Sequence, residues 1–247
     1  MMVKKILGIL IGVAVLVLFG VAAASPNQAA NTAKEKAQAP DLEKIEFIHW
    51  KKNFAKPETA KAPKAPACYK FLTPTKIKWT ALPVSYEINP ANLQDLGESF
   101  ITSAVSTSAE TWDAVTSKEL MNDSYTIDYS VVYGTQDYKN ALSFGNYPTA
   151  GVIAVTTVWY NPATKAIVEF DVMFDTDWAW GDATADATKM DLQNIATHEL
   201  GHGIGLADVY ELACSEVTMY GYSWYGDIGK RDLAQPDITG LQKLYGY

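Results

Sequence analysis

Apolar and polar positions change rhythm several times along the chain, and each change marks an element. Residues 6–24 form an unbroken apolar or small run behind Lys4 and Lys5. As a helix that run spans about 28 Å, the scale of a bilayer core. Ala22-Ala23-Ala24 before Ser25 supplies the small residues of a leader-cleavage site. Residues 1–24 are therefore expected to be a signal peptide or an uncleaved membrane anchor through residues 6–24. Residues 25–67 read as a low-complexity pro-segment and linker, polar up to Ala39 and rich in Pro, Ala and Lys from Lys56 to Ala67. Between those stretches Leu42, Ile45 and Ile48, with Phe47, fall at helical spacing. The spacing predicts a short helix over Asp41–Phe54, a docking helix or a propeptide remnant over a cleft. His49 lies on it as surface decoration without a role.

Residues 68–247 alternate strands and helices, which predicts an α/β (α+β) domain. Pro83–Ile88 reads as a first strand. Gly97–Ser117 carries Phe100, Ile101, Ala104, Val105, Ser108 and Trp112 on one stripe, an amphipathic helix. Tyr125–Tyr133, Asn140–Phe144, Gly151–Trp159 and Ala166–Phe174 read as further strands. A helix is predicted over Asp186–Gly203, with Leu192, Ile195 and Ala196 inward, and a last one over Gln235–Tyr245.

Charge sharpens this division. Residues 1–67 carry ten lysines against five acids (+5), and residues 68–247 carry ten basic against twenty-three acidic residues (−13), giving the total of −8. An acidic domain lacks the basic face that nucleic acid requires. Hydrophobic residues make up 48% of the chain, enough for a packed core. The two cysteines, Cys68 and Cys214, are expected to pair in an exported protein. The bridge would pin the start of the domain to a loop near its end. The alternative gives Cys68 to a metal as a latency ligand.

The chemistry is concentrated in His198-Glu199-Leu200-Gly201-His202-Gly203-Ile204-Gly205-Leu206-Ala207-Asp208. On a helix His198 and His202 share one face and can share one Zn²⁺. Glu199 beside them can reach a water on the ion, as a general base does. Gly205 can take a left-handed φ and turn the chain back, bringing Asp208 as a third, oxygen ligand.

This pattern resembles the metzincin signature H-E-x-x-H-x-x-G-x-x-H, with Asp208 in place of a third histidine. Val217-Thr218-Met219-Tyr220-Gly221 looks like the family's methionine turn in its matrixin form. Asp232 to Gly246 looks like the last helix of a matrixin catalytic domain, and Lys78-Trp79 with Val84–Ile88 like its first strand. The Asp ligand and Cys214-Ser215-Glu216 are closer to snapalysin, a small bacterial metzincin, and Pro66-Ala67-Cys68-Tyr69 does not match the matrixin latency motif. The resemblance implies a twisted, mixed five-stranded sheet with an active-site helix, Met-turn and C-terminal helix. It also implies one catalytic zinc, Met219 as a hydrophobic floor, and Tyr220 and Tyr222 at the substrate pocket or oxyanion. Peptide would bind as an added strand along Gly151–Val158. Asp175, Asp177 and Asp182 are candidates for a structural Ca²⁺. The expected function is an exported, monomeric zinc endopeptidase acting on protein or peptide substrates, secreted or held at the cell surface. The alternatives are a catalytically silent, zinc-bound peptide-binding module and a membrane-tethered sheddase.

Overall fold

The computed structural model describes residues 41–52 and 67–247. The expected leader or anchor (1–24) and most of the linker lie outside those residues. In chain order the elements are β1 (Glu43–Lys51), β2 (Lys70–Phe71), β3 (Glu87–Ile88), α1 (Glu98–Asp113), β4 (Thr126–Ile127), β5 (Ala141–Gly145), β6 (Val152–Asn161) and β7 (Ala166–Asp175). There follow β8 (Trp180–Gly181), β9 (Met190–Asp191), α2 (Leu192–Gly203), β10 (Leu206–Ala207), β11 (Tyr222–Ser223) and α3 (Gln235–Tyr245). The main sheet runs β11-β1-β6-β7-β5-β3-β4. The expected five strands are present as β6-β7-β5-β3-β4, and β1 and β11 widen them. β5 lies parallel to β3 and β7, while β6 is antiparallel to both β7 and β1.

β6 is buried along nearly its whole length, because strands cover it on both edges and helix α2 packs on it. Its run of Val, Ile and Thr suits a pleated surface closed on both faces, which is why it does not alternate. On α1 the stripe of Ile101, Ala104, Val105, Ser108 and Trp112 is buried. Ser108 Oγ donates to Gln193 O at 3.1 Å, and Trp112 Nε1–H donates to Thr197 O at 2.8 Å. Both bonds brace α2, the helix that carries the histidines.

Three expectations need correction. The described part of Asp41–Phe54, residues 41–52, is not a helix: residues 43–51 are the strand β1, inserted between β6 and β11. Two edges of unpaired backbone outweigh the weak helical spacing of Leu42, Ile45 and Ile48. Helix α2 starts at Leu192 rather than Asp186, because the Asp191 carboxylate accepts from Asn194 N at 2.8 Å and caps it, while Met190–Asp191 pairs with β8. The strand expected over Tyr125–Tyr133 shrinks to Thr126–Ile127, since Asp128 accepts from Ser130 N and Oγ and turns the chain off the sheet.

Cys68 and Cys214 are joined, with Cα atoms 5.3 Å apart across a sequence separation of 146. A closed loop of that size removes much chain entropy from the unfolded state. Cys68→Ser with Cys214→Ser should lower the unfolding free energy by about 2–5 kcal/mol. Denaturant titration checks this, and an unchanged midpoint would contradict it.

Asp171 on β7 is fully buried, with Gly134 N and Ala141 N donating to it at 2.8 and 3.1 Å. Burial pushes its carboxyl up from 3.8 to about 7. The folded state thus holds a proton that the unfolded state releases between those values. Stability from this group is present below pH 4 and falls as pH rises towards 7, by up to about 1.4 kcal/mol per pH unit. The gap between wild type and Asp171→Asn should therefore move with pH across that window, in favour of Asn as pH rises. A gap independent of pH in urea titrations would remove the claim.

Candidate metal centre

Helix α2 places His198 and His202 one turn apart, both fully buried. His198 Nδ1–H donates to Thr218 O at 2.7 Å, and His202 Nδ1–H to Leu206 O at 2.8 Å. Each bond fixes the tautomer that leaves Nε2 as a bare acceptor. After Gly203 the chain turns at Gly205, whose φ of +113° favours glycine, and Asp208 returns to the histidines. Asp208 Oδ1 lies 3.1 Å from His198 Nε2 and 3.5 Å from His202 Nε2.

All three atoms are buried and lack a hydrogen-bond donor. Acceptors packed so closely repel unless a cation or a proton lies between them. Two imidazole nitrogens and one carboxylate oxygen, all within 4.8 Å of one another, suit zinc. Three protein ligands would leave a coordination position open, as catalytic rather than structural zinc sites do. Burial lowers His198 to about 4, aided by the charge of Lys230. Burial also opposes ionisation of Asp208, but His202 and His198 outweigh it and hold the carboxyl well below its ordinary range. The neutral imidazole of His198 and the ionised carboxylate are forms that bind a metal, whereas at His202 burial is outweighed by the Asp208 carboxylate, which holds that imidazole up and which a bound cation would displace from it.

Supporting contacts converge from three directions. Tyr210 OH donates to Asp208 Oδ2 at 2.7 Å and orients the carboxylate. Met219 passes beneath the helix, and a Cβ added at Gly201 would come 2.3 Å from its sulfur. The Asp237 carboxylate, in the first turn of α3, accepts from Thr218 N at 2.9 Å and Met219 N at 3.1 Å and fixes the turn below the centre. Tyr220 and Tyr222 pack beside Val209, Cys214 and Val217 in a small apolar cluster next to the centre.

Glu199 is fully buried, and burial pushes its carboxyl up to about 7. Thr156 Oγ1–H, from β6, donates to Oε2 at 2.5 Å. His49 Nδ1–H donates to Oε1 at 3.0 Å. His49 is completely buried, with its ring 4.0 Å from that of His198, which corrects its expected surface position. A second group of potential ligand atoms, His49, His198 and Glu199, results.

Sequence reasoning thus passed over His49, Thr156 and Tyr210. Only His49 carried a signal, as the third of three histidines in a chain whose other two form the motif. Gly151–Val158 is not a free edge, because β1 is paired along it. Asp175, Asp177 and Asp182 do not gather into a ligand group among the described residues. Asp175 accepts from Asp177 N, and Asp182 pairs with Arg231 at 2.7 Å.

Comparison with known proteins gives a consistent result. The family model for matrixin matches residues 78–246. Stromelysin-1 of Mus musculus is 30% identical over 178 residues, covering 70% of this chain and 34% of its own length. Matrilysin of Homo sapiens is 29% identical over 179 residues, covering 71% of this chain and 61% of its own. Interstitial collagenase of Oryctolagus cuniculus is 28% identical over 196 residues, covering 76% and 38%. The chain spans about a third of the length of the stromelysins it matches.

Proposed function

The chain belongs to the matrixin family, and on that footing we propose that it is an exported zinc metalloendopeptidase with Glu199 as its base and acid. The observation that carries this reading is the set of three buried, donor-less atoms of His198, His202 and Asp208, with the Glu199 carboxylate beside them and outside that set. His198, His202 and Asp208 would hold the zinc. Bound there, zinc supplies a Lewis acid that polarises a peptide carbonyl and acidifies water.

Glu199 does the proton work. Raised towards neutrality by burial, it accepts a proton from the attacking water and returns it to the leaving amine. Thr156 fixes the carboxylate's orientation through Oε2. Met219 floors the centre, and Tyr210 holds Asp208 in place. An extended peptide would add to β6 as a strand, with Tyr220 and Tyr222 walling the slot for its side chains. Residues 6–24 would direct export or hold the enzyme at the cell surface, and fractionation of cells and medium separates those two fates. No helix among the described residues is long and apolar enough to cross a membrane.

The test is casein hydrolysis by the full chain, before and after limited trypsin treatment, beside Glu199→Gln, with zinc determined in each. Hydrolysis that requires Glu199, with about one zinc per chain, establishes the reading. Bound zinc without hydrolysis in either preparation favours the silent peptide-binding module. A folded chain without zinc overturns the centre itself.

A further inference from the structure

Strand β1 lies in a slot with a partner on each edge. Along one side it pairs antiparallel with β6 from Glu43↔Tyr160 to Trp50↔Val152. Along the other it pairs parallel with β11, with Trp50 N–H donating to Gly221 O at 3.3 Å and Lys52 N–H to Ser223 O at 3.0 Å. Its side chains alternate. Phe47 stacks on the His202 ring at 4.2 Å, and His49 reaches Glu199. On the opposite face Glu46 accepts from the hydroxyls of Tyr133 and Tyr147.

Two observations mark β1 as an occupant rather than a fixed part of the domain. The main hydrophobic core contains no buried residue from β1, and only Ile45 packs partly against it. Ile48 and Trp50 sit at the margins of two small satellite clusters. The family match begins at residue 78, so the domain is defined without this strand. What β1 adds is main-chain pairing to β6 on one side and to β11 on the other, a ring on His202 and an imidazole on Glu199. That is how a bound peptide adds to a sheet.

Resting on the protease reading above, we propose that Glu43–Lys51 is an intramolecular occupant of the peptide-binding edge, and that His49 shuts the centre by holding Glu199. The strand denies β6 to any incoming peptide. The His49 Nδ1–H bond occupies Oε1, one of the two oxygens with which Glu199 could take a proton, while Thr156 occupies the other. Residues 53–66, which join the strand to the domain, and the two residues before them contain Lys51, Lys52, Lys56, Lys61 and Lys64, and cleavage there would turn a tethered occupant into a dissociable one.

The experiment uses the full chain and three variants: His49→Ala, Phe47→Pro with Ile48→Pro, and an otherwise wild-type chain with a specific protease site inserted between Lys56 and Lys61. Two readouts are taken on each, hydrogen–deuterium exchange of residues 152–160 and casein hydrolysis. A tethered strand competes at an effective concentration in the millimolar range, so its release should raise hydrolysis of micromolar substrate by roughly a hundredfold. The proline pair should also expose the 152–160 amides, and His49→Ala should raise hydrolysis with a smaller change in exchange. Where the proline pair fails to fold, the inserted site gives the same comparison on a native chain.

Exchange that stays slow after cleavage or in the folded proline pair, or wild-type hydrolysis as fast as that of the released forms, would overturn the proposal. Faster exchange without hydrolysis in any form keeps β1 as the occupant and rejects the protease reading. In that case a labelled peptide of residues 41–52 should bind the cleaved chain in trans, and its failure to bind would count against the occupant as well.

Discussion

Glu199→Gln lowers peptide hydrolysis by about 10²–10⁴-fold and leaves the zinc content unchanged, whereas His202→Ala loses both. Glutamine keeps the length and volume of the side chain. Its amide oxygen can still accept from Thr156, which holds the group at 2.5 Å in the wild type. What it loses is the capacity to take a proton from water and give it to the leaving nitrogen. The proposed ligand atoms of His198, His202 and Asp208 do not involve Glu199, so metal retention would separate a chemical defect from a structural one. The measurement is a progress curve on a chain freed by limited proteolysis, with metal analysis of the same sample. Activity within tenfold of wild type would mean that another group does the proton transfer.

Gly201→Ala is expected to destabilise the domain by about 1–3 kcal/mol and to weaken zinc retention. Helix propensity alone argues the other way, since alanine gains about 1 kcal/mol over glycine inside a helix. Packing wins here. The added Cβ would lie 2.3 Å from Met219 Sδ and 2.8 Å from Trp112 Cζ2. Trp112 is fully buried and held by its bond to Thr197 O, so it cannot move aside cheaply. Met219 is fixed from below through the Asp237 carboxylate. The clash therefore lifts α2 between His198 and His202 and spreads the ligand atoms. Chemical denaturation with metal analysis tests this, and a variant as stable as wild type would show that the methionine yields without cost.

The parts of this protein legible in its sequence are those whose reason is local. The i, i+4 spacing of His198 and His202, the turn at Gly205 and the arrival of Asp208 lie within eleven residues, so the chemistry writes itself as a motif. Gln235–Tyr245 was equally plain, with Pro236 near its start and an apolar stripe through Leu241 and Leu244. His49 was not legible, because what gives it meaning is Glu199, 150 residues away. In the segment around it Leu42, Ile45 and Ile48 suggest a helix while Ile45, Phe47 and His49 fit a strand. No local rule chooses between them, and the choice is made by unpaired backbone on β6 and β11. The start of α2 shows the same limit at smaller scale. Asp186 and Asp191 are both plausible caps, and Arg231, which binds Asp191 from far along the chain, comes with the fold rather than with the pattern.

The position of β1 also bears on the order in which the molecule assembles. β6 and β7 meet through a short hairpin, and β5 joins them from close by in the chain. β1 is made well before its partners, Val152–Tyr160 and then Tyr222–Ser223, almost the whole domain later. Closing such long loops is the slowest kind of pairing and gains nothing until both rails stand. A strand made before either of its partners is thus expected to pair only after both stand, so that the cleft would form before the strand that fills it.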